Sequence, residues 1–388
     1  MARRIRLVYT AAAVVPIALL ASACGSSGTS NNSSGSSSSS APAAAMVGPA
    51  LPSKPSTTPK TVLETGSTLL YPLMGAWTQA YQKEFQNAST KSPYATIDTG
   101  ATGSGTGIAD AASGTVDIGA SDAYLSSSVK TTTPTLVNIA LAISAQQINY
   151  NVPGVKNLKL DGTVLAGIYN GKINSWNDPA IKSLNPSAHL PNLKIVPLHR
   201  EDSSGDTFLF TSYLNATAPS DWPSSLVNTT ITWPKGSTTA ETGNGGMVSG
   251  CAATKGCVAY IGISYLQKTQ AAGLGTAMLK NSAGNFVAPT PATIAAAASA
   301  QTAKTPPSET QSMINGPGAN SYPIINYEYA IVNTKQSDGV KAEDIRAFLH
   351  WTVHAGQDGT TYLDPVDFQP LPASVVKLSD AQIAKIGA

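Results

Sequence analysis

Charge is scarce in this 388-residue chain, with Asp, Glu, Lys and Arg together at 12%. Arg3, Arg4 and Arg6 carry the positive excess, and without them 21 basic side chains face 22 acidic ones. So weak a basic field cannot neutralise a row of backbone phosphates, which excludes nucleic-acid binding. Histidine is scarcer still, with four in all, so a general base has few candidates. Catalytic and cofactor signatures are missing too. Gly103-Ser104-Gly105-Thr106-Gly107 does not have G-x-G-x-x-G spacing, and no G-x-x-x-x-G-K-[ST] loop occurs. Gly119-Ala120-Ser121-Asp122-Ala123 lacks the last glycine of a nucleophile elbow. His350 and His354 stand four apart, but Trp351 occupies the place where H-E-x-x-H needs glutamate. No metal and no cofactor is therefore expected. The apolar run at 7–20, broken by Pro16, is shorter than the ~20 residues that span a bilayer.

Hydrophobic residues nonetheless make up 42% of the chain, enough for real cores, and wholesale disorder is excluded. Three arginines, a short apolar run and Ala21-Ser22-Ala23 before Cys24 describe a secretory signal at 1–23. A cysteine directly after such a site resembles a bacterial lipobox, so Cys24 is the expected lipid-bearing residue and the outer face of the membrane the expected location. Ten of the sixteen residues from 25 to 40 are serine, and Ala, Pro and Thr follow to 60; 24–60 is expected to be a tether. Lipidation of Cys24 would leave Cys251 and Cys257, with five residues between them, which can close a disulfide loop in an oxidising compartment or stay reduced.

From residue 61 onward, short β-like runs alternate with helical patterns, which predicts an α/β fold with mostly parallel sheets. Strands are expected at 62–64, 95–99, 115–120, 194–198 and 257–263, and helices at 69–85, 108–112, 204–214 and 342–354. The 69–85 helix would bury Leu73, Trp77, Ala80 and Phe85. Two longer β runs, 136–150 and 322–332, read as chain crossing between lobes. The predicted division is 61–140 plus 323–388 for lobe I and 141–322 for lobe II, about two domains' worth of chain at roughly 100–200 residues each.

Three strand-to-helix loops begin their helices with Gly, Ser and Thr: 65–68, 102–107 and 203–207. Helix N-termini expose unpaired N–H groups and the positive end of the dipole, so each loop can take an anion. Ordinary N-capping favours the same residues, and the loops alone leave both readings open. Beyond the signal only Arg200 and Arg346 remain. Arg200 stands four residues before Ser204-Gly205, where a planar fork of donors matches a tetrahedral oxyanion, and Asp202 can hold that fork in place.

These pieces, in this order, resemble the phosphate-binding proteins of bacterial phosphate ABC transporters. The resemblance rests on Glu64-Thr65-Gly66-Ser67-Thr68, Gly103-Ser104-Gly105, IGASDAYLS from Ile118, HREDSSGDTFLFTSYL from His199, the runs 262–266 and 322–329, and FQPLPASVVKL from Phe368. The last three fit lipid-anchored, mycobacterial-type members. The resemblance implies a type II periplasmic-binding-protein fold, two lobes joined by two crossover strands, acting as a monomer that passes inorganic phosphate to a membrane ABC permease. It implies donors at Thr68, the Leu69 backbone, Ser104, Gly105, Arg200, Ser204 and Gly205, a proton acceptor at Asp122, and Asp202 as the carboxylate orienting Arg200. Leu69 stands where many relatives have Phe, and Asp206 where many have Thr. Asp206 is expected to be a second acceptor that favours dihydrogen phosphate and weakens binding from about pH 6 to 9. The competing readings are a secreted phosphoester hydrolase using Ser104 or Ser204, and a receptor for another oxyanion.

Overall fold

The computed structural model describes residues 50–234 and 239–388; the expected signal, Cys24 and the tether up to 49 lie outside the described residues. One mixed sheet runs through the protein. Its strands are ordered Ala95–Gly100, Lys60–Gly66, Ile118–Ser121, Ile325–Asn333, Leu136–Tyr150, Cys257–Gly262, Val196–Arg200 and Thr239–Glu241, and Gly275–Thr276 pairs beside Leu136–Tyr150. The first three strands are mutually parallel, and so are the last three. The centre is antiparallel, which departs from a mostly parallel sheet. The physical reason is the pair of crossovers: the chain leaves one lobe along Leu136–Tyr150 and returns along Ile325–Asn333, so the two central strands oppose one another. The first crossover pairs with the second over Leu136 to Ala145, then with Cys257–Gly262 over Gln146 to Tyr150. One strand thus belongs to both halves of a two-lobed α/β fold.

Local chemistry sets the helices that flank this sheet. Tyr71–Glu84 carries Pro72 in its first turn, where the missing N–H costs nothing, and buries Leu73, Met74, Trp77, Thr78 and Tyr81. Ala80 and Phe85, expected on that face, are only half-buried; Tyr81 takes the place and stacks edge-on against Phe348 and Trp351. Ser104–Ser113 starts four residues earlier than its glycine-rich sequence suggests, because Gly103, at φ +96°, turns the chain into the helix in a conformation other residues resist. Gly205–Thr217 is capped by Ser204, whose Oγ accepts the N–H of Thr207. Among the described residues, no helix is long and apolar enough to cross a membrane.

Cys251, near the end of helix Gly243–Ala253, and Cys257, at the start of the next strand, form a buried disulfide with Cα atoms 5.3 Å apart. Closing so short a loop is worth about 2 kcal/mol in chain entropy. It also fixes the strand end of a helix whose other end, at Gly243 and Asn244, enters the site described next.

Candidate ligand-binding site

Four helix N-termini and two strand ends meet beside the crossover strands. The first loop supplies Ser67, whose Oγ accepts the N–H groups of Leu69 (3.1 Å) and Leu70 (2.9 Å) and donates to Asp122 Oδ1. Asp122 follows strand Ile118–Ser121, and its N–H donates to Ser104 Oγ at 3.1 Å. The third loop closes over both. Gly103 and Gly105 lie against Ser203, and Gly105 N–H donates to the Ser203 carbonyl at 2.9 Å. Gly205 presses so close that a Cβ would lie 2.4 Å from Asp122 Oδ2 and 2.5 Å from Ser104 Oγ. Gly205→Ala should therefore stop the loops from meeting, at ~1–3 kcal/mol of overpacking. The expected result is at least about tenfold weaker ligand binding with the fold retained, read by calorimetry beside circular dichroism.

Arg200 ends strand Val196–Arg200 and is 4% exposed. Its Nε and Nη2 donate to the two oxygens of Asp202, and its Nη1 donates to Asp206 Oδ2 at 2.9 Å. Three of the five guanidinium N–H groups are thus spent and two remain. Its backbone N–H donates to the hydroxyl of Tyr260, which also bonds Thr207 Oγ1, both at 2.8 Å. Asp202 is fixed in turn by Gly243 N–H at 3.0 Å. Burial opposes the guanidinium charge, but Asp202 and Asp206 more than offset it and hold Arg200 above its ordinary value. The Asp202 carboxyl, though half-buried, lies below its ordinary value because Arg200 bonds it.

Asp206 takes a part beyond the one its position in sequence suggests. It is fully buried, and its oxygens are occupied by Arg200, by Asn244 Nδ2 (2.7 Å) and by Gln146 Nε2 (3.0 Å). Burial raises its carboxyl above the ordinary value, against the pull of those donors. It clamps the arginine through Oδ2, while Oδ1 takes Gln146 alone and keeps a second lone pair. Gly105 and Leu69 also differ from expectation, since their N–H groups are engaged by Ser203 and Ser67. Thr68, Ser104 and Ser204 are each buried with the hydroxyl oxygen accepting N–H groups, from Asn244, Asp122 and Thr207 respectively. An accepting hydroxyl keeps its own proton to donate.

Ser67, Gln146, Asn244 and Tyr260 belong to this constellation and were not singled out in the sequence. Ser67 could have been found, since it lies inside the Thr-Gly-Ser-Thr loop; a glutamine within a long strand gives no such signal. His199, next to Arg200, points to the other strand face and packs on Trp233 with ring centroids 5.0 Å apart. His350 and His354 bond Asp380 at the half-exposed surface of helix Gly339–Val353. The assembled site is a buried ring of hydroxyls, helix N-termini and a guanidinium, with Asp122 set against the glycine of the third loop. That inventory suits a small tetrahedral anion bearing a proton.

Comparison with known proteins agrees. A family model described as the PBP superfamily domain matches residues 51–355. The phosphate-binding protein PstS of Haemophilus influenzae is 33% identical over 331 residues, covering 84% of this chain and 94% of that protein. The PstS of Methanocaldococcus jannaschii is 34% identical over 352 residues, covering 85% and 87%. A periplasmic phosphate-binding protein solved with phosphate at pH 8.5 superposes with a TM-score of 0.64 at 22% identity, over 83% of this chain and 93% of that one. At that identity the superposition shows a shared fold. Matched along most of its length by relatives above 30% identity, the chain belongs to the PstS family of phosphate-binding proteins.

Proposed function

We propose that this protein is an extracytoplasmic receptor that closes its two lobes on one inorganic phosphate and delivers it to a membrane ABC permease. The observation that carries this is Arg200, buried, clamped by Asp202 and Asp206, with two N–H groups left to give. Those two, the hydroxyls of Thr68, Ser104 and Ser204, and the first-turn N–H groups at Gly205 supply donors to an oxyanion. Each charge-assisted bond is worth ~1.5–3 kcal/mol net, and micromolar affinity needs ~8 kcal/mol. Asp122 supplies the selection, because an acceptor beside an anion is tolerated only where the ligand brings a proton. Phosphate near neutrality has a P–OH and sulfate has none.

The lobe assignment belongs to the same reading: 61–140 with 323–388 against 141–322, supported by the two opposed crossover strands. So does the anchor. Lipid on Cys24, behind a removed signal, would hold a monomeric receptor beside the permease on a serine-rich tether. Changing Cys24 to serine should move the protein from the membrane fraction to the medium.

Binding rather than hydrolysis is favoured by the partners of the two serines, since Ser104 Oγ meets Asp122 N–H and Ser204 Oγ meets Thr207 N–H. A serine nucleophile would need a base at that position. Equilibrium dialysis of desalted protein against radiolabelled phosphate should retain one phosphate per chain. Turnover of a chromogenic phosphoester with no retained phosphate would overturn the proposal in favour of a hydrolase.

A further inference from the structure

Beside Asp122, on the second crossover strand, lies a further buried carboxyl. Glu328 is fully buried, at the register shift between Glu328 and Tyr329 where the two crossovers pair. Its Oε1 accepts Ser144 Oγ (2.5 Å) from the first crossover and Asn326 Nδ2 (3.0 Å) from its own strand. Its Oε2 is buried and receives no protein donor. Tyr329, the next residue, pairs with Ser121 across the antiparallel strands, which sets Glu328 opposite Asp122. Two ionised carboxyls buried side by side would repel strongly, and a proton held between them removes that repulsion. Asn326 Nδ2 also reaches the Asp122 carbonyl at 3.4 Å, which ties the two residues through one amide.

We propose that Glu328 is a specificity-determining partner of Asp122: the two carboxyls hold one proton between them, which leaves Asp122 as a single acceptor toward phosphate and keeps the pair at one negative charge. This deepens the receptor reading and rests on it. Asp122 is divided to suit, with Oδ1 taking Ser67 and Oδ2 lying against Gly205 and Ser104 on the ligand side. Loss of the shared proton would put a second charge behind the ligand and weaken binding. Burial, reinforced on Asp122 by Glu328 and Asp206, pushes both groups up, Asp122 well above its ordinary value and Glu328 to about 7. The pair loses its protons in two steps that belong to both groups together.

The other charged groups facing the pair are Asp206, held by Gln146 and Asn244, and Arg200, held by Asp202. Tyr124 and Tyr329, beside Asp122 and Glu328 in the chain, are both raised by burial and remain neutral. Asp206 keeps its donors whatever happens at position 328, so it contributes equally to the proteins compared below.

Glu328→Gln tests this with little change of shape. The amide oxygen keeps Ser144 and Asn326, the amide nitrogen can donate to Asp122 from the Oε2 position, and nothing at 328 titrates. Calorimetric phosphate binding is compared from about pH 6 to about pH 9. Wild type should lose affinity about tenfold per pH unit once the pair gives up its proton, while the variant loses only what the ionisation of phosphate imposes on both. Parallel profiles would overturn the proposal. Infrared titration of the ligand-free protein reads the pair without phosphate. A neutral carboxyl band persisting at about pH 7 and lost in Glu328→Gln supports it; no such band in wild type overturns it. A wild type that shows this band but binds no phosphate at any pH would refute the receptor reading and leave the shared proton standing.

Discussion

Arg200→Lys should weaken phosphate binding by roughly 10²–10³-fold although the charge is kept. A lysine offers one ammonium where the structure uses a fork: two N–H groups on Asp202, one on Asp206 and two left over for the ligand. Losing one partner of a buried, hydrogen-bonded charge pair costs ~2–5 kcal/mol, and every ~1.4 kcal/mol is tenfold in affinity. Here the loss is compounded, because Asp202 and Asp206 would share a single ammonium and turn residual negative charge toward an incoming anion. The same substitution should lower thermal stability, since Asp206 is fully buried. Arg346→Lys is the control. Its guanidinium donates to the Ile386 carbonyl near the C-terminus, and phosphate binding should not change. Equal small effects at both positions, read by calorimetry, would remove Arg200 from the site.

Asp122→Asn should collapse the discrimination between phosphate and sulfate. A site built around one ligand hydroxyl can reject an analogue lacking it by ~10⁴-fold, because fully ionised sulfate leaves acceptor facing acceptor. An amide can turn its NH2 toward the ligand and remove that conflict. Phosphate affinity should fall while sulfate affinity rises, bringing the two within about tenfold of each other. Ser67 and the N–H bond from Asp122 to Ser104 Oγ can persist, so the loop should stay in place. Phosphate binding that weakens with sulfate still excluded would mean that the donors around Arg200 make the selection, and that Asp122 only shapes the loop.

How much of this could be read from the sequence follows from how local each signal is. The crossover 136–150 is legible to the residue because Leu, Val, Ile and Tyr recur through fifteen residues with no Gly or Pro to end the run. Helix Ser104–Ser113 is harder to see, because Ser-Gly-Thr-Gly has poor helix propensity and the helix is set by a tertiary turn at Gly103. The parallel halves of the sheet follow from strand–helix alternation, but the antiparallel centre depends on where the chain returns, 175 or more residues later along Ile325–Asn333.

The site divides in the same way. Arg200, Asp202, Ser204 and Gly205 lie within six consecutive residues, and motif reading brings them together. The part played by Asp206 depends on Gln146 and Asn244, supplied by two other elements, so its grip on the arginine could not be read from a carboxylate at a helix N-terminus. Glu328 was hidden for a related reason. In a strand whose residues are nearly all buried on both faces, alternation does not reveal which side chain meets Asp122. Gly105 looked like a ligand donor because its loop resembles an anion cradle; its N–H instead joins two loops across the site.

Calorimetric titration of phosphate and of sulfate into protein stripped of bound phosphate tests the central claim most directly. The account predicts one phosphate per chain, bound at micromolar affinity or tighter, with no heat from sulfate at the same concentrations. Equal binding of the two anions, or binding of neither, would contradict it.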